Sequence, residues 1–154
     1  MKARSILLIG ITCLFGLTLC FADDANLGTW KLNESKSTLG TGMAKNTTVV
    51  YQAAGENVKV IVDGVDANGK PTHTEWTGKF DGNDYPVVGD PTSDTRAYKK
   101  IDDHTLEMRV KKAGAVTMTG KIVVAPDGKS RSVSVSGTNP AGVKIEGTAT
   151  YDKQ

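Results

Sequence analysis

Val143-Lys144-Ile145-Glu146-Gly147-Thr148-Ala149-Thr150-Tyr151 alternates residue by residue. Val143, Ile145, Gly147, Ala149 and Tyr151 fall on one face of an extended chain, and Lys144, Glu146, Thr148 and Thr150 on the other. A period of two sorts side chains on a strand and scrambles them on a helix, so this stretch reads as a β-strand with one buried face. The same pattern recurs upstream. Val133 and Val135 oppose Ser132, Ser134 and Ser136; Leu106, Met108 and Val110 oppose Thr105, Glu107, Arg109 and Lys111; Val58, Val60 and Val62 oppose Lys59 and Asp63. Turn chemistry stands between the runs, as in Asp66-Ala67-Asn68-Gly69, Asp81-Gly82-Asn83, Ala113-Gly114 and Pro126-Asp127-Gly128. Gly, Asn and Asp supply the positive φ of tight hairpins. The expectation is an all-β domain, a single up-and-down antiparallel β-barrel of about 8–10 strands, because closure removes the edges of such a meander.

Two stretches interrupt the alternation. Residues 34–45 are rich in Gly, Ser and Thr and are too short for a pair of helices. Residues 86–94 begin at Pro86, behind Tyr85, and include Asp90-Pro91; proline denies a ladder its donor, so an interruption or kink of the sheet is expected there. Gly55, Val60, Val62, Gly64, Asp66 and Gly69 recur 73 positions later as Gly128, Val133, Val135, Gly137, Asn139 and Gly142. A duplicated hairpin pair and the general likeness of hairpins of similar length both account for this.

The first residues read as an address. Lys2 and Arg4 precede an apolar run from Ile6 to Leu19, and Cys20-Phe21-Ala22 offers small residues at a cleavage site, so residues 1–22 are expected to be a signal peptide and 23–154 the barrel domain. The apolar run falls short of the roughly 20 residues of a comfortable span, and no integral span is expected after cleavage. Removing residues 1–22 from the 154 leaves 132, enough for one domain, and takes away both cysteines, Cys13 and Cys20. A periplasmic or secreted domain without disulfides fits that composition. Cleavage also removes two of the 19 basic residues and none of the 17 acidic ones, so the mature chain is neutral. Lys99-Lys100 and Lys111-Lys112 sit among acidic residues without interleaved aromatics, and nucleic acid is excluded as a partner.

Gly28-Thr29-Trp30-Lys31-Leu32-Asn33, with Tyr151-Asp152-Lys153 at the far end, resembles the opening and closing strands of the calycin barrels, the fatty-acid-binding proteins among them. Phe80-Asp81-Gly82-Asn83-Asp84-Tyr85-Pro86-Val87 and Asp127-Gly128-Lys129-Ser130 extend the likeness to uncharacterised exported bacterial lipocalin-like proteins. The resemblance implies a lipocalin-like barrel with Gly28 and Trp30 in structural roles at one end. Two departures bear on ligands. Ala149 stands where fatty-acid-binding proteins carry an Arg two positions before the last-strand Tyr, here Tyr151, and the lipocalin Arg that packs on the motif Trp is not evident near the C-terminus.

Catalysis has little to draw on. The mature chain has no thiol nucleophile, and only His73 and His104 could act as imidazole bases; strand parity turns His73 to solvent, and His104 follows Asp102-Asp103 in a turn. No enzyme activity, metal or cofactor is expected; Asp66-x-Asn68-Gly69 begins like a calcium loop, but its twelfth position is Thr77. Parity places Trp30, Trp76, Phe80, Met108, Met118, Ile122 and Val124 inward, together with the small residues Gly78, Gly120, Gly147 and Ala149, which hint at a cavity. Arg131 shares the parity of Val133 and Val135 but adjoins the Asp127-Gly128 turn, which favours an exposed rim residue over a polar handle. The lumen candidates for ligand contact are Trp76, Phe80, Met108, Met118, Arg131 and Tyr151. With Arg131 at the rim, a neutral ligand is expected over a fatty acid, since a buried carboxylate needs a cation. The leading expectation is an exported barrel that binds a small apolar ligand in its lumen. A non-liganded structural or interaction module of the cell envelope is the alternative, requiring a filled lumen and an exposed apolar patch or free edge; an enzyme would require a buried carboxylate beside a pocket.

Overall fold

Ten strands run in sequence around a closed barrel in the computed structural model, which describes residues 24–40, 43–138 and 141–154. The expected signal peptide lies outside the described residues. The strands are β1 Gly28–Leu32, β2 Lys45–Ala54, β3 Asn57–Val65, β4 Pro71–Gly78, β5 Tyr85–Val88, β6 Thr95–Lys100, β7 Thr105–Lys112, β8 Ala115–Val124, β9 Ser130–Thr138 and β10 Lys144–Lys153. Each pairs antiparallel with its neighbour in sequence, and β1 closes the ring on β10 with Trp30 opposite Lys153 and Leu32 opposite Tyr151. The barrel read from alternation is therefore present, with ten strands, and each strand pairs with a neighbour on both sides.

The alternation sets what faces in. Val49 and Tyr51 of β2, Val60 and Val62 of β3, Leu106, Met108 and Val110 of β7, Ile122 and Val124 of β8, and Ala149 and Tyr151 of β10 are all buried. The repeat offset by 73 residues is also geometric. Gly55 and Gly128 hold the β2–β3 and β8–β9 turns at φ 64° and 69°, and a Cβ at either Gly64 or Gly137 would run into the backbone of the preceding strand.

Two sequence expectations need correction or detail. Pro86 does not lie in a break: Tyr85–Val88 is a strand, but a short one, held to β4 at Glu75–Val88 and Trp76–Val87 and to β6 at Tyr85–Arg96 and Pro86–Thr95. Proline at such a weakly laddered strand costs little because few N–H groups are called upon. The described residues between β1 and β2 hold no helix pair; a 3₁₀ turn at Glu34–Lys36, capped by the Asn33 side chain, leads to a bridge between Thr38 and Thr148 that lays the chain across β10.

The small inward residues do not all mean empty space. A Cβ on Gly78 would lie 2.5 Å from the Tyr85 ring and 2.7 Å from Trp76, and one on Gly147 would meet the Met43 sulfur at 2.6 Å. Neighbouring strands and the β1–β2 connection fill those positions. Of the four, Ala149 alone lines open volume.

Candidate functional site

The barrel is packed at one end and hollow at the other. At the packed end Trp30 is fully buried, and its Nε1 donates to the carbonyl of Asn26 at 2.9 Å, so the segment before β1 folds over the opening. Gly28 makes that entry at φ 120°, where a side chain would also meet Lys153. Gly28 and Trp30 therefore both sit at this closed end. Beside them Trp76 stacks with Phe80 (centroids 6.3 Å apart) and meets Tyr98 edge-on at 4.8 Å and Tyr85 at 5.7 Å. Trp76 Nε1 donates to the Arg96 carbonyl at 2.9 Å, leaving no polar atom of the indole free. Trp76 and Phe80, sequence candidates for ligand contact, are inward as parity required but belong to this packed cluster and are not among the residues lining the cavity above it.

Above the cluster lies a cavity of about 380 Å³. Its upper wall comes from the β1–β2, β3–β4 and β5–β6 connections through Leu39, Met43, Asn68 and Pro91, so all of its loop residues come from one end of the barrel. Its inner wall includes Val49, Val62, Met108, Met118, Ile122, Val135 and Ala149. Met108, Met118, Arg131 and Tyr151 from the sequence candidates line it, and Tyr51, Tyr98 and Arg96, which sequence reasoning passed over, line it too. Arg96 and Tyr98 share parity on β6, and that alternation was the available signal. Its reading was masked by Lys99 and Lys100, which make the strand look solvated.

Arg131 overturns its sequence placement. It is 2% exposed rather than at the rim, and its Cζ stands 4.7 Å from the Trp30 ring centroid, 4.6 Å from that of Tyr51 and 5.2 Å from that of Tyr151. An arginine is therefore packed on Trp30, and it comes from β9. The turn at 127–128 does not expose it because residues 24–30 cover that end of the barrel. Burying a cation costs several kcal/mol, and a desolvated cation–π contact contributes about 2 kcal/mol, so three aromatic faces offset much of the penalty. Aromatic faces do not replace hydrogen-bond acceptors: Nε and Nη1 are sealed from solvent and have none.

The other polar groups of the lumen are more fully engaged. Asp90 is pushed up by burial, but hydrogen bonds from Ser93 Oγ (2.6 Å) and Thr92 (N 2.8 Å, Oγ1 2.7 Å) and the charge of Arg96 leave its carboxyl below the usual range. Arg96 Nη2 is 3.5 Å from Asp90 and Nη1 3.5 Å from the Tyr98 hydroxyl. Burial pushes the Tyr151 phenol up to about 12, against the opposing pull of Arg131. Burial and the neighbouring Tyr98 push Tyr51 up further.

Outside the barrel, His73 faces solvent, its Nδ1 2.6 Å from Asp63 and its Nε2 3.6 Å from Glu75. Asp66 Oδ1 accepts from the backbone of Asn68 (2.8 Å) and Lys70 (3.0 Å), the bonds of a tight hairpin. Among the described residues no three His, Cys, Asp or Glu side chains converge on a point that could hold a metal ion, and no helix is long and apolar enough to cross a membrane.

No protein-family model matches this chain, and no curated protein is significantly similar to it. Solved structures with a similar arrangement of strands include a redesigned β-barrel (16% identity, TM-score 0.48, covering 88% of this chain and 97% of the other). A second redesigned barrel, mFAP1, solved with DFHBI bound, is 16% identical with a TM-score of 0.43 over 84% of this chain and 95% of its own. Likeness at that level carries nothing about ligand or activity across to this chain.

Proposed function

We propose that this is an exported, calycin-type binding protein that holds one small, largely apolar molecule in the barrel lumen. The observation that carries the reading is the 380 Å³ cavity, walled by Val62, Met108, Met118, Ile122 and Ala149. Its volume falls in the range of small-molecule pockets, and its few polar groups converge from Arg131, Arg96 and the tyrosines, as orienting groups do in such sites. Arg131 over Trp30 supports the lipocalin-like part of the reading, and the apolar run of residues 6–19 behind Lys2 and Arg4 supports export. The structural-module alternative calls for a filled lumen together with an exposed apolar patch or a free edge; the lumen here is hollow and the strands close into a ring. The enzyme alternative calls for a buried carboxylate beside a pocket. Asp90 has that position, but Thr92, Ser93 and Arg96 surround it with four donors and drive its carboxyl toward the ionised form, away from proton donation.

The test is to purify the protein from the envelope fraction of its native host and compare native and denaturing mass spectra. A stoichiometric small molecule released on denaturation supports the reading. An empty protein that also takes up no apolar probe in calorimetry contradicts it.

A further inference from the structure

The cavity ends on a cation without an anionic partner among the described residues. Arg131 lines the lumen at 2% exposure, Nε and Nη1 meet no acceptor, and among the described residues it enters no ion pair. A second guanidinium, Arg96, lines the same lumen, and its Nε is likewise sealed without an acceptor. The carboxylates on the cavity wall do not answer this charge. Asp66 is at the mouth and held by its own turn, and Asp90 is held by Thr92 and Ser93 with Arg96 at 3.5 Å. The deep end of the lumen is therefore positive, and its guanidinium is surrounded by rings that stabilise charge but accept no N–H.

Resting on the lumen-binding reading above, we propose that the ligand is an organic monoanion, a carboxylic acid on a small apolar body, with its negative end toward Arg131 and its body against Met108, Met118 and Ile122. A carboxylate entering the lumen gives up its hydration, and a buried guanidinium without an acceptor is the group that compensates this loss through charge-assisted hydrogen bonds. A neutral amide of the same shape can offer its carbonyl oxygen to Arg131 but brings no charge, and a neutral hydrogen bond is roughly half as strong as a charge-assisted one. This reverses the neutral-ligand preference expected from an Arg131 at the rim, because its premise does not hold.

Isothermal titration calorimetry with two isosteric pairs tests the assignment: 2-naphthoate against 2-naphthamide for a flat body, and decanoate against decanamide for a chain. In whichever pair enters the lumen, the acid is expected to bind about tenfold or more tightly than its amide at neutral pH. Arg131→Met should bring that ratio to about one while the amide still binds. The wild-type ratio stands even if Arg131→Met does not fold, which a thermal melt would reveal, and Arg131→Lys then serves as the charge-retaining control that keeps a preference for the acid. Equal binding, or tighter binding of the amide, overturns the anionic assignment and leaves the lumen reading standing. Binding of no member of either pair removes both.

Discussion

The Arg131 guanidinium lies 4.7 Å from the ring of Trp30, although their strands are not neighbours: β10 runs between β1 and β9. The contact thus crosses the barrel interior and ties the first strand to the ninth. It makes the packed end of the barrel and the deep end of the cavity one structure, with the indole below and the open lumen above.

Removing the indole should be costly. Trp30→Ala deletes a fully buried side chain, its bond to the Asn26 carbonyl and one face of the Arg131 cage. A loss of about 3–5 kcal/mol is expected in urea unfolding. A loss below about 1 kcal/mol would place Trp30 outside the core.

High pH should loosen the barrel through its tyrosines. The Tyr151 phenol is held at about 12, and Tyr51 is raised as well, against an ordinary value of 10.0. The unfolded chain releases these protons first, so their contribution is complete below pH 10 and is lost as pH climbs from 10 toward 12. Absorbance titration of the phenolates, run beside a stability curve, checks this. All four tyrosines ionising together near 10 in a folded protein would contradict it.

His73 should titrate above its usual value of 6.5, first because it donates a hydrogen bond to Asp63. A raised folded value means a contribution to stability present below the unfolded pKa and lost as pH rises through the folded one. NMR titration of the imidazole should show the upward shift, and Asp63→Asn should reduce it. An unshifted His73 that ignores the substitution would remove this pair from the account.

Gly78→Ala is a test of close packing rather than of backbone freedom. The added methyl would press into the Tyr85 and Trp76 rings, and a cost of roughly 1–3 kcal/mol is expected, as for other overpacked sites. Thermal melts of Gly78→Ala alone and with Tyr85→Ala should show the second change relieving the first; additive losses would contradict the contact.

Alternation made most of the barrel legible in the sequence. Val60, Val62, Leu106, Met108, Ile122 and Tyr151 face inward as parity required. What parity does not encode is depth. Trp76 and Met108 share an inward face, yet one is packed by Tyr85 and Tyr98 from other strands and the other borders open space. Arg131 was misread for a related reason: the cover over it comes from residues 24–30, a hundred positions away. Pro86 was read as a break because proline weakens ladders, but a four-residue strand asks little of its N–H groups.

The central claim is an open, ligand-holding lumen, and methyl NMR of methionine-labelled protein tests it most directly. Met108 and Met118 line the inner cavity and Met43 its mouth. On titration with 2-naphthoate, the account predicts saturable shifts of the Met108 and Met118 methyls, with cross-relaxation to the naphthalene protons. Unmoved lumenal methyls at ligand concentrations where calorimetry records binding would put the ligand on the outer surface and contradict the claim.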